Sequence, residues 1–318
     1  MINIQLLDGL LERFLENADN LLAAFLIDME GLIISSKKIQ KDFDEEVIGA
    51  IMAIIDQTIT RIKRIADTSY GSGILDTNEF RLFYLELGSS VPALFVVVSN
   101  PYIDIEKYIP YSYLVAEKIS LLFQERENIN LELPLLHNNG TIKLVLSRSQ
   151  EELINHVLLI GPPKTGKTSI VQKYVNQRFS KEYKPTIGVS LVKKNLQISQ
   201  SIKSTLYLFD MGGLKAFAKI RRFFYKTIDA KTVIIVFDYT KEYTLNTIND
   251  WINEIYEFNN PDETDIILVG NKIDLNSNRT EMNEKAKIIA EQKHCTLFET
   301  STLTGQGIDE LFMNIAFK

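Results

Sequence analysis

One short stretch, residues 156–171, restricts the possible folds of this chain more than any other. It reads HVLLIGPPKTGKTSIV, an apolar run followed by Gly161-x-x-x-x-Gly166-Lys167-Thr168 and then by a helical segment. Such a loop binds phosphate, because its glycines let it curl until the backbone amides face the phosphate oxygens. Lys167 then reaches the β and γ oxygens, and Thr168 offers its hydroxyl to Mg²⁺. The pattern predicts an α/β sandwich around a mostly parallel sheet.

The sequence VGNKID at residues 269–274 indicates which base accompanies these phosphates. After the apolar run DIILVG, the Asp274 carboxylate can accept from guanine N1 and N2 while Lys272 lies flat over the ring. Adenine offers no such pair of donors, so this aspartate argues against an ATP-driven enzyme, the alternative for a chain with this loop. Ser301, in the triplet ETS, would complete the base pocket. The residues predict a guanine nucleotide.

With all these motifs in order, residues from about 154 to 318 resemble the Ras superfamily of small GTPases, particularly its Rab-like and Rag-like branches. The resemblance implies GTP or GDP with Mg²⁺, effector or regulator proteins at two switch regions, and roles in signalling or vesicle trafficking. It places switch I in FSKEYKPTIGV, where Thr186 would ligate magnesium in the triphosphate state. Phe179 would edge the guanine, and Tyr183 would close over the phosphates.

The resemblance places switch II in FDMGGLKAFAKIRRFFY, with Asp210 on the magnesium side and the Gly213 amide at the γ-phosphate. Arg221 and Arg222, further along this segment, are expected to face solvent or a partner. The segment's aromatic residues are expected in the core or on a partner surface: Phe217, Phe223, Phe224 and Tyr225. The implied metal ligands are Thr168, Thr186 and Asp210, and the implied nucleotide contacts are Gly161, Lys164, Thr165, Gly166, Lys167, Thr168, Ser169, Phe179, Tyr183, Thr186, Gly213, Asn271, Lys272, Asp274, Ser301, Thr302 and Leu303.

The chain departs from the pattern of these GTPases at several positions. The resemblance implies a catalytic set of Lys167, Thr186, Gly213 and position 214. At position 214 the family usually has a glutamine, whereas this chain has Leu214. The loss of the glutamine predicts slow GTP hydrolysis. Pro163 and Lys164 replace two common glycines of the phosphate loop, where side chains would obstruct an incoming arginine finger. Thr302 and Leu303 replace the usual Ala-Lys pair, which predicts weaker guanine contacts.

The first 125 residues have a different pattern, whose periodicity changes repeatedly between helix and strand. The predicted order is α-β-β-α-β-β-β-α, with Asp44 capping the second helix. The predicted elements are helices over 3–17, 44–66 and 105–125, a strand hairpin around 29–31, and strands near 73–78, 80–87 and 92–99.

This order, with the turn in LIDMEGLIISS, resembles the roadblock/dynein light chain family, a relative of the longin domains. The alternative is an unspecialised α+β domain. The resemblance implies a module that dimerises, as homodimer or hetero-oligomer, or that regulates GTPases, with residues 44–66 as the candidate dimer face. The other interpretation of that helix is that Ile48, Ile51 and Ile55 only pack on their own sheet. The predicted domains are 1–125 and 153–318.

Residues 126–152 connect the two predicted domains. The segment carries Pro134 and an Asn-Asn-Gly turn, yet it is too apolar for a freely solvated tether. We therefore expect it to dock, and TIKLVLS within it to add an edge strand to one of the domains.

Charge and composition exclude several other classes of protein. Residues 1–125 carry 19 acidic and 10 basic side chains and the remainder 22 and 25, too weak a basic excess for nucleic-acid binding. Cys295 is the one cysteine, so no internal disulfide and no zinc cluster is expected. Ile2 is not the glycine of a myristoylation signal, and the final FMNIAFK has no cysteine for prenylation. No intrinsic membrane anchor and a cytoplasmic location are expected.

Two functions remain open from the sequence alone. One is a switch whose surface changes with the bound guanine nucleotide, favoured by Thr186 and Asp210. The other is a nucleotide-stabilised scaffold that binds GTP with little or no turnover, favoured by Leu214 and the first domain.

Overall fold

The chain forms two compact units, Met1–Val145 and Leu146–Lys318, in a computed structural model. Among the described residues, no helix is both long and apolar enough to cross a lipid bilayer. The structure describes residues 4–39, 44–66, 71–88, 91–124, 129–136, 142–143, 152–180, 183–198, 202–228, 230–275 and 279–317.

The described residues of the first unit form an antiparallel sheet and three α-helices. Its five-stranded sheet has the order β2-β1-β5-β4-β3, and α3 is preceded by a 3₁₀ turn at Ile105–Tyr108. The elements are α1 Ile4–Asn17, β1 Leu21–Asp28, β2 Ile33–Lys38, α2 Glu45–Ala66, β3 Ser72–Asp76, β4 Arg81–Glu86, β5 Ala93–Ser99 and α3 Ile109–Phe123. The α-β-β-α-β-β-β-α order predicted from the periodicity is confirmed.

Helix α2 starts where its cap predicts and carries apolar residues on two faces. The Asp44 carboxylate accepts a hydrogen bond from the Glu46 amide at 3.0 Å, the usual way to satisfy a free N–H at a helix start. The inner face is buried against the sheet: Ile48, Met52 and Ile59. Ile51 and Ile55 pack partly against the same cluster. The outer apolar stripe is exposed: Val47 at 47%, Ile54 at 68% and Ile62 at 53%.

The described part of the connection contacts α3. The Tyr111 hydroxyl donates to the Pro134 carbonyl at 2.8 Å, and the Lys118 ammonium donates to the Asn130 carbonyl. Two short strands pair antiparallel, β6 Leu135–Leu136 and β7 Ile142–Lys143, as a separate two-stranded sheet. The part of TIKLVLS that is described therefore does not extend either larger sheet; its other residues, 141 and 144–147, lie outside the described residues.

The second unit is a six-stranded sheet with helices, in the order β13-β12-β11-β8-β10-β9. Only the β9–β10 pair among these is antiparallel, so the prediction of a mostly parallel sheet is confirmed. The elements are β8 Glu152–Ile160, α4 Lys167–Asn176, β9 Val189–Gln197, β10 Lys203–Met211, α5 Ala218–Thr227, β11 Thr232–Asp238, α6 Glu242–Asn246, α7 Ile248–Tyr256, β12 Asp265–Asn271, α8 Arg279–Gln292, β13 Thr296–Glu299 and α9 Ile308–Ala316.

The central strands are continuous apolar runs because a parallel sheet covered by helices is buried on both faces. All seven residues of β11 are buried, and Tyr174 of α4 stacks on Phe312 of α9 with ring centroids 4.0 Å apart. Since β8, β10, β11 and β12 run parallel, their carboxyl ends lie at one edge of the sheet, where ligands bind in such folds. The phosphate loop follows β8, switch II follows β10, the NKxD segment follows β12, and the ETS triplet spans the end of β13; switch I instead follows α4.

Candidate nucleotide-binding site

The loop between β8 and α4 has the backbone that its glycines predict. Gly161 and Gly166 have φ angles of 128° and 102°, values that side chains rarely permit. A Cβ on Gly161 would lie 2.4 Å from the Val236 carbonyl oxygen, and one on Gly166 would lie 2.2 Å from Nδ2 of Asn271. Both glycines are therefore required by the close approach of neighbouring strands.

Lys167 lies inside the curl of this loop. Its ammonium donates to the carbonyl oxygens of Gly161 and Pro162, each at 2.8 Å, and the residue is 6% exposed. Burial lowers the pKa of Lys167 to about 8, while the carboxylate of Asp210 opposes that shift. A bound polyphosphate would supply the negative charge that favours the protonated amine.

The three predicted magnesium ligands converge from different elements. The Thr168 hydroxyl donates to Oδ2 of Asp210 at 2.6 Å, and the Thr186 hydroxyl lies 3.2 Å from the same oxygen. The two threonine hydroxyl oxygens are 2.9 Å apart. Desolvation raises the pKa of Asp210, and its buried Oδ1 has no hydrogen-bond donor among the described residues. Hard oxygen donors around an unsatisfied carboxylate oxygen suit Mg²⁺.

The NKxD segment joins the phosphate loop through side chains. Asn271 donates from Nδ2 to the Thr165 carbonyl at 2.9 Å. The Lys272 ammonium donates to the Lys164 carbonyl at 2.8 Å. These bonds fix the strand end predicted to bind the base against the predicted phosphate loop.

The residues predicted to read the base are placed with unequal exposure. The Ser301 hydroxyl donates to Oδ1 of Asp274 at 2.6 Å, which orients that carboxylate. Thr302 is buried, whereas Leu303 is 45% exposed and Phe179 is 37% exposed. The structure thus brings Asp274 and Ser301 together and leaves Phe179 and Leu303 open to solvent.

Switch I and the loop also meet through a lysine and a tyrosine. The Lys164 ammonium lies 5.2 Å from the ring centroid of Tyr183, within the range of a cation–π contact. Tyr183 is 48% exposed, so this contact is weakly shielded from water.

Switch II lies directly on the phosphate loop at Gly213. A Cβ there would be 2.5 Å from the Gly161 carbonyl oxygen, so only glycine fits.

The expectation that Arg221 faces solvent or a partner is wrong: it is 3% exposed, because a glutamate of α7 and two backbone carbonyls surround its guanidinium. Arg222 remains half-exposed, 3.8 Å from Glu257.

Most of the predicted aromatic core of switch II is confirmed. The fully buried rings are Phe217, Phe224 and Tyr225.

Sequence reasoning missed two residues of this site. Asp238 is fully buried and accepts a hydrogen bond from the Lys272 ammonium at 2.7 Å. The Thr300 hydroxyl donates to Oδ1 of Asn271 at 3.2 Å. Asp238 ends the apolar run TVIIVFD at the same sheet edge, and a charged residue in that position is the signal that identifies it.

The fold and these contacts define a P-loop nucleotide-binding protein of the small GTPase class. The Ras family profile matches residues 156–318, just over half of the chain. The chain therefore belongs to the Ras family.

Individual relatives agree with this assignment. The chain is 34% identical to Ras-related protein Rab-22A of Canis lupus familiaris over 160 residues, which is 50% of this chain and 80% of the relative. It is 31% identical to Ras-related protein RABA6b of Arabidopsis thaliana over 159 residues, 50% and 67% of the two chains. It is 30% identical to Ras-related protein Rab7 of Pisum sativum over 174 residues, which is 53% of this chain and 83% of the relative. The similarity to these relatives covers about half of this chain.

Proposed function

We propose that the second unit is a guanine-nucleotide switch in which GTP and Mg²⁺ order residues 179–189 and 210–225. The ordered surface then recruits effector or regulator proteins. The observation that carries this proposal is the convergence of Thr168, Thr186 and Asp210, because hydroxyls from the start of α4 and from the loop before β9 meet one buried carboxylate. Membership of the Ras family supports the choice of guanine nucleotide.

Each part of the site has a separable task in this proposal. Thr168, Thr186 and Asp210 would hold Mg²⁺, which neutralises phosphate charge when bound. Lys167 binds the β and γ oxygens from within the loop, and the Gly213 amide donates to the γ-phosphate. Since Thr186 and Gly213 belong to the two switches, loss of the γ-phosphate would release both segments.

Replacing Lys167 or Thr168 by alanine tests this site. We expect each change to weaken GTP binding about 10- to 100-fold, since each removes a charge-assisted or metal contact. The measurement is displacement of a fluorescent guanine nucleotide from the full chain, with Lys287→Ala on the exposed side of α8 as the matched control. Normal affinity in both Lys167→Ala and Thr168→Ala would contradict the assignment.

A second candidate is a nucleotide-stabilised scaffold that binds GTP with little or no turnover. Leu214 favours it, because an apolar side chain cannot orient the attacking water. The two candidates differ in hydrolysis rate and in whether partners distinguish the GDP and GTP forms. Partners that bind both forms equally would contradict the switch.

For the first unit we propose a roadblock-like module that dimerises or regulates the GTPase. Support comes from its element order, from the outer strands β2 and β3 of its sheet, and from the exposed stripe Val47, Ile54 and Ile62 on α2. A second copy of this module, or a related one, would cover that stripe. We propose a cytoplasmic location for the whole chain.

Substitutions on the two faces of α2 test this module. The full chain is expected to have a light-scattering mass above that of the monomer at tens of micromolar, and Ile54→Glu is expected to give a folded monomer. Met52→Glu should instead unfold the first unit, because that side chain is fully buried. Gln57→Glu, exposed outside the stripe, serves as the control. A monomeric wild-type chain would contradict the proposed assembly.

A further inference from the structure

Arg221 of α5 makes a set of contacts that the nucleotide motifs do not explain. Its Nε and Nη2 atoms donate to Oε1 and Oε2 of Glu254 at 2.8 and 3.1 Å, a bidentate pair. Its Nη1 atom donates to the backbone carbonyls of Gly212 and Leu214, both at 2.9 Å. The guanidinium also lies 4.8 Å from the ring centroid of Trp251. One side chain thus ties switch II to α7.

The two carbonyls that Arg221 holds flank Gly213 on either side. The Gly212 carbonyl and the Gly213 N–H belong to the same trans peptide, so they point in opposite directions. A hydrogen bond to that carbonyl therefore fixes the direction of the Gly213 N–H. The backbone at Gly213 lies on the phosphate loop, where a Cβ would be 2.5 Å from the Gly161 oxygen.

The ion pair between Arg221 and Glu254 is largely buried, which strengthens its electrostatic attraction. Arg221 is 3% exposed at its side chain and Glu254 is 19% exposed, so water screens their attraction less than at the surface. Tyr225 donates a further hydrogen bond to Oε1 of Glu254 at 3.0 Å. A charged donor on the Gly212 carbonyl also polarises that peptide, which strengthens its N–H as a donor.

We propose that the Arg221–Glu254 pair positions the Gly213 amide for the γ-phosphate, so that discrimination of GTP from GDP depends on an ion pair to α7. Arg221 acts through the backbone and touches no phosphate; it is a positioning residue. This inference rests on the proposed function of the site. It adds α7, which carries none of the nucleotide motifs, to the elements that set the state of the switch.

The test compares two nucleotides in the full chain. Fluorescent GDP and a fluorescent, non-hydrolysable GTP analogue are titrated into wild type, Glu254→Gln and Arg221→Lys. Glu254→Gln keeps the size and removes the charge, and lysine cannot reproduce the planar guanidinium fork that binds both carboxylate oxygens. We expect the affinity for the GTP analogue to fall about tenfold or more, with the GDP affinity unchanged. The controls are Glu257→Gln and Arg222→Lys, in the neighbouring exposed pair.

The outcomes separate this inference from the proposed function. If wild type binds neither nucleotide, the proposed function fails and this inference with it. If wild type binds both and the two variants keep the wild-type ratio of affinities, only this inference is wrong. A merely structural role would weaken both nucleotides equally, and that result also overturns it.

Discussion

Replacing Asp274 by asparagine is expected to change the base that the site prefers from guanine to xanthine. A carboxylate accepts from both the N1 and N2 donors of guanine, whereas an amide offers one donor and one acceptor, which matches the N1 donor and C2 carbonyl of xanthine. The side chain should keep its orientation, because Ser301 donates to Oδ1 of Asp274 at 2.6 Å and an amide oxygen can accept the same bond. Losing charge-assisted hydrogen bonds to guanine should weaken GTP binding by about a hundredfold or more.

Competition by xanthosine and guanosine triphosphates against one fluorescent nucleotide measures this change. Asp262→Asn is the matched control, since it removes an exposed carboxylate from the loop between α7 and β12. Ser301→Ala should leave guanine preferred with a smaller loss of affinity, because it removes only the group that orients Asp274. An unchanged guanine preference in Asp274→Asn would show that this carboxylate does not read the base.

The parts of the site that were predictable lie in contiguous residues. The phosphate loop is determined over eight positions, and its two glycines have the positive φ angles that the motif requires. The contacts between segments were not predictable in the same way. Asn271 donates a hydrogen bond to Thr165, which lies 106 positions away in the sequence. Neither segment alone predicts that these two residues are in contact.

Arg221 and Glu254 show why some residues of the switch escaped sequence analysis. A charged side chain on a helix is normally solvated, and no local pattern pairs Arg221 with a residue 33 positions later. The pairing depends on α5 and α7 packing together. Burial of a charge requires its partner, and the partner is visible only in three dimensions.

In the first unit, periodicity predicted the elements but not the environment of each face. Helix α2 carries apolar residues over a broad arc, so its sequence allows either face to be inside. The structure buries Ile48 and Met52 and exposes Ile54. Ile48 packs on the sheet and Ile51 and Ile55 pack partly on it, while assembly through α2 stays a prediction.

Leu214→Gln is expected to accelerate single-turnover GTP hydrolysis by roughly a hundredfold, because a positioned side chain that assists proton transfer contributes about that much. With its glutamine, Ras hydrolyses GTP at roughly 3–5 × 10⁻⁴ s⁻¹ unaided, so the wild-type chain should be slower. Two described side chains near position 214 do not replace the glutamine. Met211 is buried and apolar, and the guanidinium of Arg221 is fully engaged by Glu254 and two carbonyls.

The backbone at position 214 is held by hydrogen bonds, so Leu214→Gln is expected to change the side chain without moving the main chain. The Leu214 carbonyl accepts hydrogen bonds from Arg221 at 2.9 Å and from the Phe217 amide at 3.1 Å, so the new amide would extend from a fixed main chain. Leu214→Met is the matched control, since it is similar in size and has no amide. Rates are measured on the full chain loaded with one equivalent of GTP. If wild type converts its GTP within minutes, Leu214 does not limit hydrolysis and the scaffold hypothesis is wrong; if Leu214→Gln and Leu214→Met are equally slow, another group limits the reaction.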